Sequence, residues 1–269
     1  MAGQSDILTM TRGVSINTLP VELLYEIQLF SASPSLPLTC KTLYRIFSAS
    51  PPSYRVQYLI ASIEAAQIRD DLIPSKLLRY PICTVDILEM LFRISGDIIP
   101  LTWIPELPRR LFRSLTPKSR AKTPLWTDQD HPLPFLKYLF TCPKIRPPDV
   151  NSHDGYALTK AVQAGFVPLV HFLLDHGASP RCKNNISILV AIYHKDLSLV
   201  RLLVERVDCR EHSPEVLTQK GKRQKSEDRV QVTPEMLKVA VKLDARDIVE
   251  YFMKEKECVP DLQTLQMMR

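Results

Sequence analysis

Histidine and cysteine are the side chains with the widest chemical repertoire, and in this 269-residue chain they are dispersed. His131, His153, His171, His194 and His212 stand beside no plausible nucleophile in a recognised pattern, and His171 falls on a helix surface as an ordinary polar residue. Metal sites draw ligands from short fixed spacings such as C-x-x-C. Cys40, Cys83, Cys142, Cys182, Cys209 and Cys258 lie far apart, with no C-x-x-C and no Cys/His cluster among them. The patterns that assemble a catalytic centre are also missing: there is no Gly-x-Ser-x-Gly, no His-Glu-x-x-His, no phosphate loop and no paired carboxylate motif. The reading is a protein with no catalytic residues, no cofactor-binding residues, no cofactor and no metal, whose chemistry is recognition.

Charge is the next resource. The chain carries a net +6, and the stretch from Leu101 to Lys122 holds most of it: Arg109, Arg110, Arg113, Lys118, Arg120 and Lys122 stand against the single acid Glu106. Such a cluster docks an acidic partner or nucleic acid, or it is a solvated helix end running into a linker. Few aromatics are interleaved and no nucleic-acid motif accompanies it, so the second reading is preferred and nucleic acid is not an expected partner. A second basic run, Lys220, Lys222, Arg223 and Lys225, is a candidate nuclear-import signal. It lies in a polar, aperiodic stretch over 210–229 that reads as a surface excursion.

The elements that must present any recognition surface are helices. Proline is plentiful at 22 and glycine scarce at 7, which suits short helices punctuated by proline and disfavours tight hairpins. Residues 1–14 read as a disordered tail without an apolar run of signal length. From Leu19 a helix is predicted, capped by Asn17 or Thr18, with Pro20 in its first turn. Leu23, Ile27 and Phe30 recur at helical spacing with Leu24 beside them, as one broad apolar face. A second helix carries Cys40, Leu43, Tyr44 and Phe47. A third, capped by Ser53, runs to about Arg69 with Val56, Leu59, Ile60, Ile63 and Ala66 as its stripe, and a further amphipathic segment spans Val85 to Ile94. No stretch approaches the length of a membrane span, and the thiols read as reduced, so the expected location is the cytoplasm, the nucleus or both.

The carboxy-terminal half repeats. A short helix over Tyr156–Ala164, a turn at Gly165, a helix over Pro168–Asp175 and a stop at Gly177 form one unit. Ala191, Leu199-Val200 and Leu202-Leu203 repeat the places of Ala161, Leu169-Val170 and Phe172-Leu173. After the 210–229 insertion, Ala240, Ile248-Val249 and Tyr251-Phe252 repeat them again. Upstream, Thr123-Pro124-Leu125 and Phe135–Phe140 mark a weaker first unit. A period of about thirty-three with paired short helices predicts a helical solenoid, in which units share a core by stacking, so Leu158, Ala161, Val170 and Leu173 are core residues.

Two resemblances follow from these residues. Gly155-Tyr156-Ala157-Leu158-Thr159, Ala161–Gly165, Leu169-Val170, Leu173-Leu174 and His176-Gly177-Ala178 resemble an ankyrin repeat, with Asp244 standing where that family has glycine. Leu19-Pro20, Glu22-Leu23-Leu24, Glu26-Ile27 and Leu36-Pro37-Leu38-Thr39-Cys40-Lys41-Thr42-Leu43-Tyr44 resemble a shortened, fungal-type F-box. The expected fold is all-α: an F-box-like helical bundle over 15–60, a helical connector with a basic, proline-rich end over 61–120, degenerate ankyrin repeats over 121–256, and a carboxy-terminal tail over 257–269. The resemblances imply an adaptor, monomeric outside its complex and away from membranes. It would grip a Skp-type subunit of a cullin–RING ubiquitin ligase through Leu19, Pro20, Leu23, Leu24, Ile27, Leu36, Pro37 and Leu38. An unidentified target protein would be held by Tyr156, Lys160, Gln163 and Asn184, and His176 would have a structural role in its loop. The alternative is an ankyrin-repeat scaffold with no ubiquitin role, in which Leu23, Leu24 and Ile27 pack on the helix that follows Ser53.

Overall fold

The computed structural model describes residues 15–67, 69–94, 104–117, 126–205 and 228–268. These residues are all-α: helices and single helical turns, with one isolated bridge, Glu106–Asp149, outside them. The expected tail at 1–14, the Thr123-Pro124-Leu125 string, Lys118–Lys122 and Lys220–Lys225 lie outside the described residues. No helix among the described residues is long and apolar enough to cross a membrane. The chain divides into two compact units, Met1–Pro100 and Leu101–Arg269.

The front unit holds α1 (Val21–Ser31), α2 (Lys41–Ser48), α3 (Pro52–Ala65), α4 (Ile73–Arg79) and α5 (Val85–Ile94). Asn17 and Thr18 do not cap α1. They form a 3-10 turn with Ile16, in which Thr18 Oγ1 donates to the Ser15 carbonyl at 2.7 Å and Asn17 Oδ1 accepts from Cys40 Sγ at 3.3 Å. Pro20 occupies the cap position instead, without a side-chain bond. Ser53 is likewise displaced as a cap: Pro51 and Pro52 open α3, where a missing N–H costs nothing because the first amides of a helix have no internal partner. That helix stops at Ala65, short of Arg69, and Gln67 then takes a left-handed φ of 42°. The helix α4 was not anticipated, whereas α5 occupies the predicted span. Leu24, Leu43, Phe47 and Tyr54 form a buried cluster, and α3 packs on α1, α4 and α5.

The second unit begins inside the expected connector, which is thereby divided. Around α6 (Arg110–Arg113), Leu107, Leu111, Phe112 and Leu115 are buried, and α6 packs on α8 (Ser152–Ala164). The helix α7 (Leu133–Thr141) buries Phe135, Leu136 and Leu139, and the described residues ahead of it, 126–132, form turns and no helix. Three helix pairs follow: α8 with α9 (Val167–Asp175), α10 (Cys182–Tyr193) with α11 (Leu197–Val204), and α12 (Pro234–Lys242) with α13 (Arg246–Glu250), which a π-turn over Tyr251–Glu255 extends. The helix α10 packs on both α8 and α12.

One turn recurs in all three pairs. Gly165, Lys195 and Asp244 each take a left-handed φ, at 66°, 53° and 50°. The amide that follows each returns to the carbonyl of Ala161, Ala191 or Ala240, at 3.0, 3.3 and 3.0 Å. Leu169, Val170, Leu173, Leu199, Val200, Leu203, Ile248, Tyr251 and Phe252 are all buried. A second left-handed figure kinks the first turn of α8, at His153-Asp154-Gly155, and of α10, at Lys183-Asn184-Asn185. Asn151 ties these loops together, donating to the Gly177 carbonyl at 3.1 Å and accepting the Ser179 amide at 2.8 Å. The tail over 257–269 also folds: Asp261 accepts the Thr264 amide at 2.7 Å to open α14 (Leu262–Met267), which packs on α12.

Candidate functional site

Helix α1 carries two neighbouring stripes of different fate. Residues four apart lie on one face of a helix, so Leu24 and Gln28 form one stripe, and Leu23, Ile27 and Phe30 form the next. The first points inward: Leu24 is 0% exposed and Gln28 4%. Gln28 tolerates burial because its Oε1 accepts the Tyr54 hydroxyl at 2.7 Å, while the Tyr25 ring stacks on Tyr54 with centroids 4.2 Å apart. Burial, reinforced by the neighbouring Tyr25 and Tyr58, pushes the Tyr54 phenol above its ordinary range. Burial also raises Tyr58, with a smaller contribution from Tyr80. The second stripe points outward: Leu23 is 44%, Ile27 37% and Phe30 90% exposed.

This arrangement corrects the expected contact set. Leu24 cannot face a partner, because it is the centre of the front core. Leu19 and Leu36 lean on that core as partly buried residues. Pro20 and Leu38 are exposed and Pro37 is half-buried, with Leu36–Leu38 forming a 3-10 turn against α2. The alternative packing on α3 holds for Leu24 only. Phe30 joins the outward stripe, and its spacing of seven from Leu23 was the signal that places it there. Beside it, Glu26, Leu29 and Phe30 of α1 and Gln57, Ile60 and Glu64 of α3 line a groove whose charged members are both acids.

On the second unit, Tyr156, Lys160 and Gln163 share one face of α8, and Lys160 Nζ donates to Gln163 Oε1 at 2.9 Å. The guanidinium of Arg109 sits 5.5 Å from the Tyr156 ring centre, so that member of the basic stretch packs against its own unit. Asn184 is exposed within the left-handed figure that kinks the first turn of α10. The same register adds a residue that the sequence reading missed: Tyr193 occupies in α10 the place of Gln163 in α8 and is 63% exposed. His176 behaves as a loop residue, with Nδ1 2.7 Å from the Phe172 carbonyl and its ring against Phe140 and Phe172. No group of three potential metal ligands occurs among the described residues.

Set against protein-family models, curated proteins and solved structures, the chain matches none. The geometry of its own surfaces therefore carries the functional argument.

Proposed function

We propose that this chain is a non-catalytic adaptor: its front unit docks a Skp-type subunit of a cullin–RING ubiquitin ligase, and its second unit, read as a degenerate ankyrin solenoid, holds a target protein. The observation that carries the reading is the outward stripe of Leu23, Ile27 and Phe30. Three large apolar side chains on one helix face, not covered by their own unit, are the feature that a partner helix or groove recognises. The placement of this stripe next to Leu19-Pro20 and within the F-box-like string supports a Skp-type partner over a generic one. Support for the repeat reading comes from the turn shared by Gly165, Lys195 and Asp244, and support for a target surface from Tyr156, Lys160, Gln163 and Tyr193 on corresponding helix faces.

Co-purification tests the ligase half. A Skp-type protein is expected with the wild-type chain and lost from Leu23→Asp/Ile27→Asp, whose fold remains intact; equal recovery from both sinks the proposal. Deletion of residues 1–60 separates it from the scaffold reading. Repeats that stay folded and keep their target but lose the Skp-type protein support the adaptor, whereas repeats that unfold make the front helices a solenoid cap.

A further inference from the structure

A cavity of about 500 Å³ opens in the front unit between α2, the start of α3, the Leu36–Leu38 turn and the segment that joins α4 to α5. Sites for small organic molecules occupy roughly 300–1,000 Å³ and combine apolar walls with a few fixed polar groups. The walls here are aromatic: Tyr44, Phe47, Tyr54, Tyr58 and Tyr80 line the space, and Tyr80 stands edge-on to Tyr58 with ring centroids 6.2 Å apart. A buried polar group of the lining, Gln28, accepts the Tyr54 hydroxyl.

Arg55 is the one charged residue among the described residues that line the cavity, and no carboxylate lines it. Its guanidinium is fixed in place, with Nε donating to Ser50 Oγ at 3.3 Å and Nη2 to the Ser48 carbonyl at 2.6 Å. Those two bonds engage the Nε edge of the fork. The opposite edge, Nη1 with the second Nη2 hydrogen, retains the parallel donor geometry that matches the two oxygens of a carboxylate. A pre-positioned cation at the rim of an aromatic cavity free of acids selects for a negative ligand with a flat apolar body.

We propose that this cavity binds a small monocarboxylic acid with an aromatic or alicyclic body, its ring against the tyrosines and its carboxylate on the free edge of Arg55. Pro37 and Leu38 of the expected Skp contact set line the cavity, whereas Leu23, Ile27 and Phe30 do not, so Leu23→Asp/Ile27→Asp tests the ligase reading without altering this site. Calorimetric titration of the full chain with naphthoate, and with naphthamide as its uncharged counterpart, tests it. Saturable binding of naphthoate is expected, with naphthamide and the Arg55→Gln variant each weaker by about tenfold or more, the loss of a charge-assisted pair. Because Arg55 also holds the Ser48 carbonyl, Tyr44→Ala at the exposed rim provides a second probe: it leaves the melting transition unchanged and weakens naphthoate by about tenfold, the scale of one aromatic contact. No binding of naphthoate, equal binding of naphthoate and naphthamide, or undiminished binding to both variants overturns the proposal.

Discussion

Leu23 and Leu24 are consecutive on α1 and face opposite environments: Leu24 is sealed against Leu43, Phe47 and Tyr54, while Leu23 lies open with Ile27 and Phe30. The helical advance of about 100° per residue separates them, and the packing of α3 on α1 decides which one is covered.

Alanine substitutions at the two positions therefore have different effects. Leu24→Ala empties the centre of the front cluster and destabilises that unit by about 2–5 kcal/mol, the range for a buried leucine. Leu23→Ala changes stability by no more than about 0.5 kcal/mol, as for a surface site. Urea denaturation followed by circular dichroism reads both, and comparable losses would contradict the inward–outward division.

The recurrent turn gives a second contrast. Lys195 and Asp244 hold a left-handed φ that disfavours a Cβ, so Lys195→Gly and Asp244→Gly each stabilise by up to about 1 kcal/mol, and Gly165→Ala destabilises by a similar amount. Space around Gly165 is open, so its cost is purely conformational. Gly155→Ala costs more, because its new Cβ would also stand 2.8 Å from Cys182 Cβ. Thermal melts that rank the glycine variants otherwise would reject the shared turn.

The insertion between the second and third pairs leaves from a closed base. Arg229 donates its amide to the Val204 carbonyl at 2.7 Å, and its side chain reaches the Glu205 carbonyl at 3.2 Å and the Leu174 carbonyl at 3.4 Å. Because the ends meet, replacing residues 208–226 by a short Gly-Ser linker keeps the melting temperature within a few degrees. Arg229→Ala, which removes charge-assisted bonds to those carbonyls, costs about 1–3 kcal/mol. A linker variant that unfolds would place the insertion within the core.

Alkaline pH destabilises both units. Burial lifts the Tyr54 phenol in the front unit. Burial, and then the hydrogen bond to Glu205, lifts the Tyr251 phenol in the second. A phenol with a raised folded-state pKa contributes its full stability below the unfolded value of about 10, and that stability is lost as pH rises from there toward the folded value. Stability measured against pH should be flat on this account up to about pH 9 and fall above pH 10, and the part of the phenolate absorbance that Tyr54→Phe and Tyr251→Phe remove should develop alongside unfolding. A phenolate signal in the fully folded chain that disappears in Tyr54→Phe or Tyr251→Phe would show that these hydroxyls are exposed.

The all-α character, the span of α5 and the spacing of the three helix pairs were legible in the residues. Proline placement, helical spacing and a recurring Ala–Leu-Val–Leu pattern are local signals, and the turn at Gly165 declared itself through its glycine. The same turn at Lys195 and Asp244 could be placed only by register, because it is closed there by the Asp196 and Ala245 amides on the Ala191 and Ala240 carbonyls and not by the residue's own preference. Capping by Asn17 and Ser53 failed for the converse reason: Cys40 lies more than twenty residues from Asn17 in the chain and competes for it in space, and Pro51-Pro52 opens α3 without a side-chain cap. Helical spacing identified the apolar residues of α1, but an apolar face is the same string whether a core or a partner covers it. Only the tertiary packing decided that Leu24 is the anchor and Leu23, Ile27 and Phe30 the surface. It alone gathered Arg55 and the five aromatic residues of the cavity, drawn from across some forty residues of chain, around one space.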